Sequence, residues 1–382
     1  MKKIFTLVAA ALCSMSMMAK EYTCPLVVNM MGTDMPVGDV KVNVDEQGEG
    51  KYTMSLLNFK MNDYMQIGNI VIKDVEATKC GNVIMLNAAK DIQITEGDDK
   101  NVEWMGPGLG NVNIIFKGEL KGDNFNAYLN IPLAGGMIVG VKLGEKCNEM
   151  GQLPNAGFEK FHEASYNDAK SQEPNGWHSF MSSTGSVASM VSEPVHTYES
   201  AEVRENAAED NKKCVKIVST PVKFMGMVVA SANGTITTGR LQAGSADATS
   251  NKNCSFLDFT STDVDANGDP FYAVLNNKPD AMKVWVKFKA GDGNKNPKAT
   301  ISALLTNGEY AQDPEDDKYA ANIIARANNS SIESKDEWQE ITIPFTYNNE
   351  SEMPKAALVT MSTCAVPSGG SKSETNPDVL YV

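Results

Sequence analysis

Val40-Lys41-Val42-Asn43-Val44-Asp45 sets a valine against a polar residue at every second position. Successive side chains of an extended chain point to opposite faces, so this spacing describes a strand with one buried and one solvated side. The rule holds on both sides of that stretch. It covers Tyr52, Met54 and Leu56, then Val112, Ile114 and Phe116. It covers Phe125, Ala127, Leu129 and Ile131, then Met137, Val139, Val141 and Leu143. Turn signals stand between the runs at Glu49-Gly50, Gly97-Asp98-Asp99 and Gly122-Asp123-Asn124. About eight or nine evenly spaced strands with no helical window predict a closed up-and-down barrel over residues 20–148, with a sandwich as the other all-β solution.

Beyond the polar link Cys147–Gln152 the pattern changes. Strand signals stand further apart, and the loops are richer in Asn, Ser, Asp and Gly. Strands are predicted at Trp177–Phe180, Cys214–Ser219, Phe224–Ala230, Thr235–Gln242 and Met282–Lys289. Others are predicted at Ala299–Leu305, Asn322–Ala327, Trp338–Phe345 and Ala357–Thr363. Residues 149–382 therefore read as a β-sandwich of jelly-roll type, and the chain as all-β in two domains.

Residues 1–19 read as a secretory signal. Lys2 and Lys3 precede the apolar run Ile4 to Leu12, and small residues from Ser14 to Ala19 place a cut after Ala19. Lipidation at Cys13 is the alternative. No later stretch is apolar enough for long enough to span a bilayer as a helix. The expected location is the periplasm or the outer cell surface. With 34 Lys+Arg against 48 Asp+Glu, the net charge of −14 repels phosphate backbones and anionic lipid, which argues against nucleic acid and membrane surfaces as partners. Six cysteines follow the signal, at 24, 80, 147, 214, 254 and 364. No pair has CxxC spacing. Two readings stand: a bridge such as Cys24–Cys147 across the barrel seam, or six buried thiols.

Two resemblances follow from longer motifs. Leu56-Leu57-Asn58-Phe59, Ile67-Gly68-Asn69-Ile70-Val71-Ile72 and Gly118-Glu119-Leu120-Lys121-Gly122 resemble the calycin-like β-barrel domain of exported proteins from gut anaerobes. That resemblance implies a lipocalin-like barrel, a shape that often holds a small apolar ligand. Leu153-Pro154-Asn155-Ala156-Gly157-Phe158-Glu159, Glu173-Pro174-Asn175-Gly176-Trp177, Lys278-Pro279-Asp280 and Asp336-Glu337-Trp338 resemble the "putative carbohydrate metabolism domain" of the same bacteria. It implies a jelly roll related to carbohydrate, and a structural calcium role for Glu159, as in sugar-binding jelly rolls. Similar domains continue with an aspartate-containing strand after a phrase like Asp378-Val379-Leu380-Tyr381-Val382.

Candidate site residues come from two stretches. In Lys283–Lys289, Val284, Val286 and Phe288 form a core face, while Lys283, Trp285 and Lys287 form the other; a tryptophan among lysines can stack on a sugar ring. Asp263, Asp265, Asn267 and Asp269, with Gly268 at the turn, match the first half of a calcium loop, although Val274 stands where the bidentate glutamate belongs. Nine methionines in residues 20–148, with Met150 just beyond, could line a barrel for an apolar ligand or simply fill its core. Only three histidines occur, His162, His178 and His196, and none lies in a HExxH motif or nucleophile elbow. The expectation is a non-catalytic envelope protein that binds carbohydrate. The alternatives are a structural or adhesin-like protein that binds an envelope protein, and a glycoside hydrolase with an acid pair.

Overall fold

The computed structural model of the protein describes residues 19–132, 137–192, 196–209 and 211–382. Nearly all of the expected signal, including Cys13, falls outside them. The chain divides into two compact units, residues 1–148 and 149–382.

The first unit is a closed barrel of eight strands: β1 Lys20–Met30, β2 Thr33–Gly48, β3 Lys51–Lys60, β4 Gln66–Cys80, β5 Val83–Gln93, β6 Asn111–Lys121, β7 Asn124–Pro132 and β8 Ile138–Leu143. Each pairs antiparallel with the next, and β8 returns to β1 with Leu143 opposite Leu26. The period-two residues supply the interior: Val42 and Val44, Tyr52 and Met54, Ile114 and Phe116, Ala127 and Leu129 are all buried in one cluster. An eight-stranded barrel is just wide enough for side chains to fill. Valine, isoleucine, leucine and aromatic residues do most of that filling. Met54 belongs to the core, but Met31 and Met105 are exposed, so the methionines are not a continuous lining.

Gly68 marks the point where β3 and β4 slip register. Its φ is +114°, and a Cβ there would lie 2.2 Å from the Thr95 carbonyl oxygen. Only glycine fits both the dihedral and the approach.

The second unit is a two-sheet sandwich. One sheet runs Thr197–Ser200, Cys214–Val218, Val379–Tyr381, Ala281–Lys289, Gln339–Pro344 in spatial order. The other runs Thr235–Thr237, Ala356–Ser362, Lys298–Thr306, Ile323–Glu333, Thr346–Tyr347, with Ala273–Val274 added beside Ala356–Ser362. Between them lie Val215, Ile217, Val286, Phe288 and Leu380 from the first sheet, against Ile236, Ile301, Ala303, Leu305 and Val359 from the second. A smaller sheet of Arg240–Ala243, Asn253–Leu257 and Ala311–Asp313 and two hairpins complete the unit.

Three expected strands differ. Phe224–Ala230 straddles a hairpin turn at Met225-Gly226, between the strands Thr220–Phe224 and Met227–Ala232. Thr235–Gln242 is broken after Thr237, and its second half joins the small sheet. Gly239 sits at the break, where a Cβ would lie 2.3 Å from the Phe256 carbonyl oxygen. Trp177–Phe180 is a single bridge, His178 to Thr237, that runs into a 3-10 turn capped by Ser179. Trp177 itself is buried in the sandwich core, its Nε1 donating to the Pro154 carbonyl at 2.8 Å. All six described cysteines are buried, and Cys24 and Cys147 are free thiols, not a bridge across the seam. No helix of the described residues is long and apolar enough to cross a membrane.

Candidate functional site

The outer face of the second sheet forms the floor of a groove of about 530 Å³. Strand alternation produces it. In Lys298–Thr306 the odd positions Ile301, Ala303 and Leu305 enter the core, which turns Thr300 and Ser302 outward. Ala356–Ser362 does the same, with Val359 and Met361 inward and Thr360 and Ser362 outward. Register sets Ser302 opposite Thr360 on one side and Asn328 on the other, and Thr300 opposite Ser362. The floor is therefore a lattice of hydroxyl and amide groups, each able to donate and accept.

One carboxylate, Asp313, reaches this lattice from the small sheet and accepts a hydrogen bond from the Ser302 hydroxyl. Burial pushes its carboxyl above the ordinary range; the Ser302 bond opposes the rise and Glu315 adds to it. Among the described residues, no lysine or arginine lines the groove. Cys254 at its edge is a poor nucleophile, because burial pushes its thiol up to about 12.

A second constellation lies away from the groove. His162 and Glu173 face each other across the hairpin of Phe161–Tyr166 and Ala169–Pro174. His178 follows in the bridge to Thr237, and Asp265 comes from the turn that precedes Asp269. His162 Nε2 is 3.7 Å from Glu173 Oε2 and 3.4 Å from Asp265 Oδ2, and His178 Nε2 is 3.3 Å from Asp265 Oδ2. All four side chains are at least nine-tenths buried. None of the four facing atoms has a hydrogen-bond partner. Burial raises the Glu173 carboxyl, against the pull of His178, Ser179 and His162. For Asp265 burial is again the largest influence, but His178, the Asp269 amide and His162 together outweigh it and hold the carboxyl low.

The residues singled out from sequence are placed as follows. Arg204 lies over the Trp285 ring, 4.7 Å from its centroid. Lys287 pairs with Glu202 at 2.6 Å, and Lys283 pairs with Glu340. All three residues of that face thus have partners within the chain. The Asp263–Asp269 oxygens do not converge. Asp263 pairs with Arg240 at 2.9 Å, and Asp269 Oδ2 accepts from the Asn267 amide and the Gly176 backbone. Asp265 Oδ1 accepts from the Asn267 and Asp269 amides, which leaves Oδ2 facing the histidines. Glu159 accepts from the Lys212 and Lys213 amides. The loop is a tight turn whose product is the orientation of Asp265.

Sequence reading named His162 and His178 without linking them to Glu173 and Asp265. One signal was present. Asn167-Asp168 is a hairpin turn between two short polar strands, and pairing about that turn sets His162 opposite Glu173. Asp313 and the outward hydroxyls carried no local signal, because their convergence depends on the order of strands in the sheet.

Comparison with known proteins adds the following. Residues 149–364 match the family described as "Putative carbohydrate metabolism domain", and residues 18–143 match the "Calycin-like beta-barrel domain". No curated protein matches the chain. Among solved structures, one titled as a putative glycoside hydrolase from Bacteroides vulgatus is similar at 15% identity and a TM-score of 0.40, over 59% of this chain and 93% of that one. Another of the same title from Bacteroides thetaiotaomicron is similar at 12% identity and a TM-score of 0.33, over 93% of this chain and 81% of that one. With more than half of its length matched, the chain belongs to the family described as "Putative carbohydrate metabolism domain", here preceded by a calycin-like barrel.

Proposed function

We propose that this chain is an exported cell-envelope protein whose second unit binds a neutral carbohydrate in the groove and does not cleave it. The observation that carries the reading is the floor of Thr300, Ser302, Asn328, Thr360 and Ser362 beside the single carboxylate Asp313. Sugar hydroxyls both donate and accept, and such a lattice answers them in kind. The lack of a basic residue in the lining, with a net charge of −14, favours neutral over sulfated or uronic sugars. Glycoside cleavage ordinarily uses two carboxyl groups across the bond, and among the described residues the groove lining supplies one. Export rests on the charged and apolar pattern of residues 1–19.

A glycan array with the purified chain tests this reading, alongside a reducing-sugar assay on any glycan that binds. The expected result is retention of a neutral glycan class, its loss in an Asn328→Ala variant with an unchanged melting curve, and no sugar release. A folded chain that retains no glycan overturns the proposal and favours a protein partner. Release of reducing sugar overturns its non-catalytic part.

A further inference from the structure

His162, Glu173, His178 and Asp265 each have one polar atom fixed by the surrounding chain and one turned toward the others. His178 Nδ1 lies 2.8 Å from the Gly239 carbonyl oxygen, which can only accept, so Nδ1 carries the proton. His162 Nδ1 lies 3.2 Å from Asn175 Oδ1, with the same consequence. In the neutral imidazoles both Nε2 atoms are then lone pairs. Glu173 Oε1 accepts from the Ser179 amide at 2.7 Å and from its hydroxyl, leaving Oε2. Asp265 Oδ1 accepts from two backbone amides, leaving Oδ2. Two ring nitrogens and two carboxylate oxygens thus face one another, buried and with no hydrogen bond between them. Neutral imidazole nitrogens and carboxylate oxygens turned toward one another in a buried site repel unless something positive lies among them.

Two protons or one cation could meet that need, and the distances choose between them. A protonated histidine holds a carboxylate at about 2.7–2.9 Å. The separations here are 3.3, 3.4 and 3.7 Å, and none meets hydrogen-bond geometry. Ligands about 2.0–2.2 Å from a tetrahedral metal stand about 3.3–3.6 Å from each other. Two of the three separations lie at that spacing. The 3.7 Å edge to Glu173 is the loose one, and among the described residues no three donors are yet drawn into a finished shell. A small rotation of the Glu173 carboxylate about its Ser179 anchor would close it.

We propose that His162 Nε2, His178 Nε2, Glu173 Oε2 and Asp265 Oδ2 are the ligands of a buried divalent metal ion of the zinc class. Two imidazoles favour such an ion over calcium or magnesium, which prefer all-oxygen shells. Two neutral imidazoles, two carboxylates and one divalent cation sum to no charge, as burial requires. The outer contacts are those of metal-binding histidines, with the second ring nitrogen donating to a carbonyl. Phe271 packs against the His178 ring at 4.6 Å and supplies an apolar wall. With all four side chains buried, the ion is structural: it ties the hairpin at 161–174 and the bridge at His178 to the turn at Asp265. None of the four residues lines the groove, so the inference stands apart from the carbohydrate reading.

The test begins with the chain purified without a metal-affinity tag or chelator. Its metal content is measured by plasma mass spectrometry. The chain is then unfolded with chelator and refolded with or without zinc or cobalt. The expected result is about one equivalent of metal per chain. Cobalt refolding should give the intense visible bands of a tetrahedral site, and the metal-free refolded chain should melt lower. A His162→Gln variant should fall from about one equivalent to under about a tenth. Wild type that refolds to its native melting curve and takes up less than about a tenth of an equivalent from excess zinc or cobalt overturns the proposal. So does a His162→Gln, His178→Gln double variant that keeps the full equivalent.

Discussion

Ser302 and Asp313 are joined by a hydrogen bond from hydroxyl to carboxylate that links the floor of the groove to the small sheet above it. It holds a carboxyl group in a place where burial makes its charge costly. The stability and the ligand binding of the second unit should therefore respond to Asp313 in opposite directions.

Asp313→Asn keeps an oxygen for Ser302 and removes the charge. A carboxyl raised in the folded state adds stability below its unfolded value and loses that contribution as pH rises through its folded value. Wherever the group is ionised, its buried charge is a net cost. The variant should melt about 2–4 °C higher at pH 7 and bind the groove's glycan more weakly. A calorimetric scan beside a binding titration reads both, and a variant that melts lower would show that the charge is compensated.

His196 gives the pH dependence its acid side. Its ring is fully buried against Phe180, and Nε2 lies 2.8 Å from the Val191 carbonyl. Burial pushes the imidazole down to about 4, although the carbonyls of Val191 and Val218 pull the other way. A lowered folded value means that the neutral ring contributes its stability above pH 6.5, and that this is lost as pH falls toward 4. The loss is on the order of 3 kcal/mol. Denaturant midpoints measured from pH 7 to pH 4 should fall less steeply in His196→Gln than in wild type.

Gly38 and Gly68 form a matched pair in the barrel. Their φ values are +110° and +114°, but a Cβ on Gly38 meets open space while one on Gly68 meets the Thr95 carbonyl. Alanine at either position strains the backbone. Alanine at Gly68 should cost about 1–3 kcal/mol more, the usual penalty of an overpacked contact. Urea denaturation of the two variants measures the difference, and equal losses would assign the whole cost to the dihedral.

Arg204 covers Trp285, and the pair contributes about 0.5–1 kcal/mol. Arg204→Ala should uncover the ring, seen as a change in tryptophan emission, with a stability loss of that size. Trp285→Ala should leave groove binding intact. Loss of glycan retention in a folded Trp285→Ala chain would move the site to that face.

Legibility in the sequence followed the range of the interactions. The barrel could be read because its order is local: each strand pairs with its neighbour, and Gly122-Asp123 already announces the turn between β6 and β7. The sandwich was legible as strands but not as sites. Ser302 and Thr360 are adjacent only because strands far apart in the chain pair with each other. Asp265 shows the converse error of scale. Its alternation with Asp263, Asn267 and Asp269 read as a local oxygen cage, whereas the turn spends those neighbours on hydrogen bonds and turns Asp265 to histidines about a hundred residues earlier.

The strand Val379–Tyr381 lies in the middle of its sheet, between Cys214–Val218 and Ala281–Lys289. Neither of those strands touches the other without it. During synthesis the two halves of that sheet wait for some 160 residues of intervening chain, between Val218 and Val379, before they can join. Long-range closure of this kind is slow and leaves apolar edges open meanwhile. The barrel needs only residues 20–143 to close on itself, so it can be finished while the second unit is still a nascent chain. The order of emergence thus makes the barrel the part that can fold first, and the sandwich the part of this molecule that most needs protection by chaperones.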